Sequence, residues 1–371
     1  MKCRKTTTLP LRTVVGFALP GLGYGAIDLI FMTFTLKFAT DTLLIPPALM
    51  GGVFAAGRLW DAVSDPIVGY LSDITVSTGL GRRRMWMLSA AVPFGFFFSA
   101  TFSPPASLIS VTALASWMAA GIFCYYSAHT AFTVPHLALG AELSETVSYA
   151  DRTRLFGARA FCSNGIGGLA GVGCLALLFH AQSSDPDSMR ATTARVCGAL
   201  GLFTALLITL AVALLPEVAG RSGLSRRHHP FSLAAVILST RHARVFTSVA
   251  TLHEGSRAAF AVLGPYVIQY GLELSPMWVA PLMAAYLLGT LVGIPFWVSL
   301  AAAHGKVLVF RRSIWVYALL NLLFVPGVHP RFNAWRTPVG TRSLSKPIEA
   351  SSALVLSSTR VVCVPCVSQS P

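Results

Sequence analysis

Nine long, mostly apolar stretches follow one another along this chain, and that spacing constrains its fold more than any single motif. They run roughly over 14–36, 48–71, 85–103, 107–132, 156–180, 194–215, 245–270, 277–300 and 313–328. About 20 apolar residues wound as a helix cross the hydrocarbon of a bilayer. A helix also satisfies its own backbone hydrogen bonds where no water is present. The pattern therefore predicts an all-α membrane protein of nine spans. Composition agrees: 54% of residues are hydrophobic and 11% charged, and mean hydropathy is +0.66. Soluble domains carry about 25% charge. Pro20, Pro66 and Pro135 and the glycines from Gly165 to Gly173 lie inside spans, where membrane helices tolerate them. Ser163, Gly167 and Gly171 fall at four-residue spacing and predict a helix face for close packing.

The net charge of +14 does not point to nucleic acid, because the basic residues sit between the apolar runs. With the N-terminus placed inside, the inner segments hold seventeen Lys and Arg, among them Arg12, Arg82, Arg83, Arg84, Arg152, Arg154, Arg241 and Arg244. The outer loops through the eighth span hold Arg190 and Arg195. This asymmetry is the positive-inside signal. It also supports the span count, since one missed helix would invert every later loop. Met1 to Arg12 reads as a basic arm, and the run behind it is too long for the core of a cleavable signal peptide. Cys363 and Cys366 form a CxxC without a second ligand pair, a weak metal signal. No nucleophile–base pair, metal cluster or phosphate loop stands out, so no enzyme is predicted.

Ionisable groups inside spans are costly, about 2.5–3.5 kcal/mol each on insertion scales, and mark functional positions. Asp28 lies in the first span, Arg58, Asp61 and Asp65 in the second, His129 in the fourth, Arg159 in the fifth, and His253, Glu254 and Arg257 in the seventh. Asp61 and Asp65 are four apart and share a helix face. Two carboxylates one turn apart in an apolar setting attract a cation, Na⁺ or H⁺. The alternative is a structural bridge from Arg58 to Asp61, with Asp65 near the inner surface. Pro66 frees a carbonyl one turn earlier, a further possible cation ligand. Arg159 offers a planar fork of donors suited to sugar hydroxyls or a carboxylate; alternatively it neutralises an aspartate across the bundle. His253, Glu254 and Arg257 read as a pairing network within their helix. Asp28 reads as cavity-facing, and Lys37 as snorkelling from a helix end.

The stretches GRLWDAVSDPIVGYLSD at 57–73 and GRRRMW at 81–86 resemble the glycoside–pentoside–hexuronide:cation symporter family of the major facilitator superfamily, whose members include the melibiose carrier. FATD at 38–41, FTVPHLALGAELS at 132–144 and DRTRLFGARAFCSNGIGG at 151–168 match in order and spacing, so the resemblance covers about residues 10–325. It implies a major facilitator superfamily-type bundle of two six-helix halves, with alternating access to a central cavity. It implies that Asp61 and Asp65 ligate the coupling cation with Ser64 and Thr130 beside them, and that Arg159 contacts substrate. Asp73 and Arg82, Arg83 and Arg84 resemble the superfamily's inner gate. The sugar site departs from the family: its helix-one aspartate aligns near Gly25, with Asp28 one turn later. Its helix-four aspartate falls at Thr133. His136 stands where many relatives have tyrosine, and the sugar-stacking aromatic falls near Leu137.

The expected organisation is a six-helix bundle over 1–215, a cytoplasmic loop over 216–244, a partial second bundle over 245–328, and an aberrant or disordered tail over 329–371. The six-helix N-terminal half is complete and the second half is truncated at about three helices. The expected activity is symport of a sugar, glycoside or related polar solute coupled to Na⁺ or H⁺, with no cofactor. Asp28, Thr133 and Arg159 are the candidate substrate contacts. A lysolipid substrate on the same fold, or a fragment that transports nothing, are the alternatives. The expected surroundings are a cell membrane, with a small-molecule substrate and lipid as partners and a monomer as the assembly.

Overall fold

The structure is a computed structural model that describes residues 9–76, 79–143, 149–181, 186–216, 239–271 and 275–328. The described residues form helices and short connections with no strand. The first rod, α1, comprises Leu11–Ala18, Pro20–Lys37 and a π turn at Phe38–Thr42. Then follow α2 (Pro47–Ile74), α3 (Arg82–Thr101) and α4 (Val111–Leu143). The rod α5 comprises Tyr149–Ala160, a π segment at Phe161–Gly167 and Gly168–Ala181. Next come α6 (Pro186–Leu214) and α7 (Arg241–Tyr266 with a π turn at Val267–Gly271). The last described are α8 (Val279–His304) and α9 (Lys306–Val328). These rods coincide with the nine apolar stretches. Among the described residues, five of them are long and apolar enough to cross a membrane by length and composition alone.

Prolines begin several helices, as Pro47 and Pro186 do, where the missing N–H costs nothing. Interior prolines at 66, 93, 135 and 265 leave their helices continuous. Gly305, between α8 and α9, takes φ +84°, a conformation that L side chains rarely adopt.

Packing divides the described residues into two compact units, one up to Ala303 and one from His304 onward. Within the first, α3 packs on α4 and α6, α2 packs on α4, and α1 packs on α5, α6 and α7. Lipid is as apolar as the side chains, so burial alone does not join membrane helices; close packing does. Two kinds of contact supply it. Aromatic rings from α1, α3 and α4 interlock, with Phe31 stacked on Tyr125 at 3.7 Å and Phe94 on Phe132 at 5.9 Å. At the crossings, glycines let backbones touch. A Cβ built on Gly95 would meet the Gly201 carbonyl at 2.2 Å, and one on Gly201 would meet that of Gly95 at 2.4 Å. Ser163, Gly167 and Gly171 of α5 are buried, and a Cβ on Gly167 or Gly171 would press the α1 backbone near Gly21 and Ala26. The outward faces are apolar, as at Leu202 and Leu206 of α6. In the second unit Trp315 of α9 is 76% exposed. The predicted loop 216–244 lies outside the described residues except for its ends, and the tail 329–371 lies wholly outside them.

Candidate functional site: a polar seam between α2 and α4

Asp61, Ser64 and Asp65 share one stretch of α2, and the packing of α2 on α4 sets Thr130 opposite them. Thr130 is fully buried and donates to Asp61 Oδ1 at 3.0 Å. Ser64, also buried, lies 3.2 Å from the Thr130 hydroxyl and 3.1 Å from the Asp61 carbonyl oxygen. One carboxylate, two hydroxyls and a backbone carbonyl thus converge among apolar helices. Asp65, one turn further along, is exposed and also lies within reach of the Thr130 hydroxyl.

Arg58 forms a loose ion pair with Asp61, its Nη1 3.8 Å from Oδ2 and beyond hydrogen-bond range. The guanidinium instead contacts Met32 Sδ at 2.8 Å and lies 5.4 Å from the centre of the Tyr126 ring. Asp61 Oδ2 therefore keeps capacity for another ligand. His129 adds a neighbour that the motif alone did not indicate. Its Nδ1 is 3.7 Å from Asp61 Oδ1, its Nε2 is 3.3 Å from the Tyr24 hydroxyl, and its ring stacks on that of Tyr24. The cation candidates are thereby joined to α1.

The substrate candidates are dispersed. Asp28 and Arg159 are both partly buried, and neither forms a hydrogen bond or ion pair among the described residues. Thr133 is buried and donates to the carbonyl of His129 at 2.9 Å, which commits its hydroxyl to its own helix. His136 is buried and within 2.9 Å of the Phe17 carbonyl oxygen, so it ties α4 to α1. Leu137 is exposed. His253 and Glu254 are exposed on α7, and the side chain of Arg257 lies outside the described part.

The gate candidates form a connected cluster at the C-terminal end of α2. Arg83, 8% exposed, pairs with Asp73, donates to Ser72 Oγ at 2.5 Å, and reaches Glu142 at 3.1 Å. Arg82 donates to Glu142 at 2.8 Å and to the Asp73 carbonyl oxygen at 3.0 Å. Arg84 sends two N–H groups to the carbonyl oxygen of Val212, at 2.7 and 3.1 Å. Arg12 bonds the adjacent Ala213 carbonyl oxygen at 3.2 Å. The start of α1, the α2–α3 connection and the ends of α4 and α6 therefore meet at one arginine-rich end. Sequence reasoning missed Glu142. An acid beside a strongly basic end was the available signal, since it has to find a cation.

Lys37 corrects the sequence reading. It does not snorkel: it is 1% exposed and bonds Asp41 of its own helix and Gln269 of α7. The packing of α7 on α1 covers it, which a single-helix view could not reveal.

The sequence pattern of MFS/sugar transport proteins matches residues 16–330. An uncharacterized symporter of Synechocystis is 38% identical over 149 residues, 36% of this chain and 26% of that relative. The inner membrane symporter YicJ of Escherichia coli is 31% identical over 38% of this chain and 30% of its own length. A sodium-dependent lysophosphatidylcholine symporter of Danio rerio is 28% identical over 34% of this chain and 24% of its own length. The chain thus spans about a quarter to a third of the length of these curated relatives.

Proposed function

The chain belongs to the MFS/sugar transport protein family, and from that premise we propose that it is a symporter of a sugar, glycoside or related small polar solute, driven by Na⁺ or H⁺. The observation that carries this reading is the seam of Asp61, Thr130 and Ser64. There, buried oxygens face a carboxylate whose second oxygen has no hydrogen bond. A desolvated carboxylate with hydroxyl neighbours is a suitable ligand set for a hard monovalent cation. Asp65, one turn away, supplies the second negative charge. Occupation by one cation cancels one of the two charges, and the less charged seam tolerates a helix rearrangement that the doubly charged one resists. Alternating access then follows: the cation state biases which end of the bundle opens.

In the same reading, Arg159 and Asp28 receive the solute. Both are partly buried and unpaired among the described residues, so a solute's hydroxyls or charges would be their partners. The cluster of Asp73, Arg82, Arg83, Arg84 and Glu142 latches the arginine-rich end. That end faces the cytoplasm by the positive-inside rule, in a cell membrane.

The test is uptake in proteoliposomes under imposed Na⁺ or H⁺ gradients, with a panel of labelled glycosides. Wild type accumulates solute under one gradient, while Asp61→Asn and Asp65→Asn lose the gradient dependence. Uptake indifferent to both gradients sinks the proposal. Exposed Leu137, where the family's sugar-stacking aromatic falls, favours a second reading in which the solute is an amphiphile. Inhibition of uptake by lysophospholipid, and not by glycosides, selects it.

A further inference from the structure

Asp28 on α1 and Arg159 on α5 are opposite charges that stand unpaired among the described residues. The surroundings of Asp28 are specific. It acts electrostatically on the hydroxyls of Tyr125 and Tyr126 of α4, and both of those side chains are fully buried. Neither hydroxyl has a hydrogen-bond partner among the described residues. A buried polar group without a partner costs more than a made bond returns. Two orphaned hydroxyls beside an unpaired carboxylate therefore suit a ligand that brings several N–H groups. The aromatic faces suit the same ligand. Arg58 rests 5.4 Å from the centre of the Tyr126 ring, so that ring already accepts a cation. The guanidinium contacts Met32 Sδ, one turn along α1 from Asp28, and forms no ion pair with Asp28.

Arg159 lies further back along α1. Its carbonyl oxygen is 3.3 Å from where a Cβ on Gly21 would stand. Gly21 and Asp28 are seven residues apart, about 10 Å of helical rise. The Arg159 side chain acts electrostatically on Tyr24, which lies between them. The two charges are thus held apart with an aromatic residue between.

Charge balance narrows the solute that fits. In mid-bundle Asp28, Asp61 and Asp65 face two guanidiniums, Arg58 and Arg159. Lys37 and Asp41, farther along α1, already pair with each other. One coupling cation balances the three carboxylates against the two guanidiniums. An anionic sugar would restore the excess and meet Asp28 as a like charge. A neutral sugar keeps the balance but leaves both ions facing hydroxyls alone. A zwitterion keeps the balance and gives each ion an opposite partner, which is what a desolvated charge needs.

We propose that Asp28, with the hydroxyls of Tyr125 and Tyr126, is an ammonium-binding subsite, and that the solute is a zwitterion with its acid on Arg159 and its ammonium on Asp28. Within the sugar class this is an amino sugar acid. The inference rests on the reading that Asp28 and Arg159 receive the solute, and binding measures it apart from transport.

Calorimetric titration of the full-length chain in lipid nanodiscs, in NaCl at pH 7, tests it. The probes are muramic acid, glucosamine, glucuronate and glucose, which carry both charges, the positive one, the negative one and neither. Muramic acid should bind about tenfold or more tighter than each of the others, the worth of a hydrogen bond to a charged group. Asp28→Asn should bring muramic acid down to the affinity of glucuronate, and Arg159→Gln down to that of glucosamine. Tyr126→Phe removes a hydroxyl that has no partner, so it should melt no lower than wild type. It should weaken muramic acid and glucosamine and spare glucuronate, and it carries the test if Asp28→Asn does not yield a monodisperse protein. A lipid headgroup can carry the same two charges, so lysophosphatidylcholine is the fifth probe; its binding without that of muramic acid assigns the subsite to a headgroup. Glucose bound as tightly as muramic acid, binding of none of the five, or an Asp28→Asn that weakens all of them alike overturns the subsite. Muramic acid bound by a protein without gradient-driven uptake rejects the symport reading alone. Gradient-driven uptake of a neutral glycoside, unchanged in Asp28→Asn, rejects the zwitterion alone.

Discussion

Gly25 offers the sharpest test of how α1 and α5 are joined. A Cβ at this position would lie 1.9 Å from the Ser163 carbonyl oxygen, 2.7 Å from its carbonyl carbon and 3.0 Å from its Cα. Carbon–oxygen contacts of this kind settle at about 3.3–3.6 Å, so the α5 backbone would have to retreat by roughly 1.5 Å. It is backbone rather than a flexible side chain, and packed interiors yield little. Overpacking of this sort costs about 1–3 kcal/mol, while alanine in a helix regains about 1 kcal/mol over glycine. Gly25→Ala should therefore melt several degrees below wild type in detergent, followed by intrinsic fluorescence and size-exclusion. Gly173→Ala, where a Cβ meets nothing within 4 Å, should melt at or above wild type. Equal melting of the two variants would refute the argument. The same geometry bears on function. The resemblance places a helix-one aspartate near Gly25, and this crossing leaves no room for one. Gly25→Asp should accordingly destabilise more than Gly25→Ala and should not create sugar binding.

Three further outcomes are expected. Thr130→Val removes a hydrogen bond to a carboxylate, worth about 1.5–3 kcal/mol; the cation concentration for half-maximal uptake should rise at least about tenfold, and an unchanged value would remove Thr130 from the ligand set. Glu142→Gln takes the shared carboxylate from Arg82 and Arg83 while Asp73 remains; because the site is partly exposed, a loss of about 1–2 kcal/mol is expected, read as faster hydrogen exchange over the Ser72 and Arg83 region. Arg84→Lys replaces two N–H contacts to Val212 with at most one, so melting should fall by about the worth of one hydrogen bond, about 1 kcal/mol, with Arg84→Ala lower still.

The amino-acid sequence by itself determined that this chain is helical, that it belongs in a bilayer, and where the nine rods of the described residues lie. Twenty apolar residues in a row have few other stable states, and that property is local. It also determined that Asp61 and Asp65 share a helix face, because four-residue spacing fixes it. What it left open were contacts between helices. Whether Arg58 neutralises Asp61 depends on Met32 and Tyr126, which come from other helices and draw the guanidinium aside. His129 meets Asp61, and Glu142 meets Arg82 and Arg83, only because α4 lies against α2 and beside the α2–α3 connection. Lys37 at a helix end reads as a snorkelling cation until α7 is set over it. Intervals along one helix fix which side chains share a face, but the rotation and crossing of a second helix decide what that face meets. In a membrane that crossing is set by backbone contacts at residues such as Gly25, Gly95 and Gly201, and these come into being only when the helices pack.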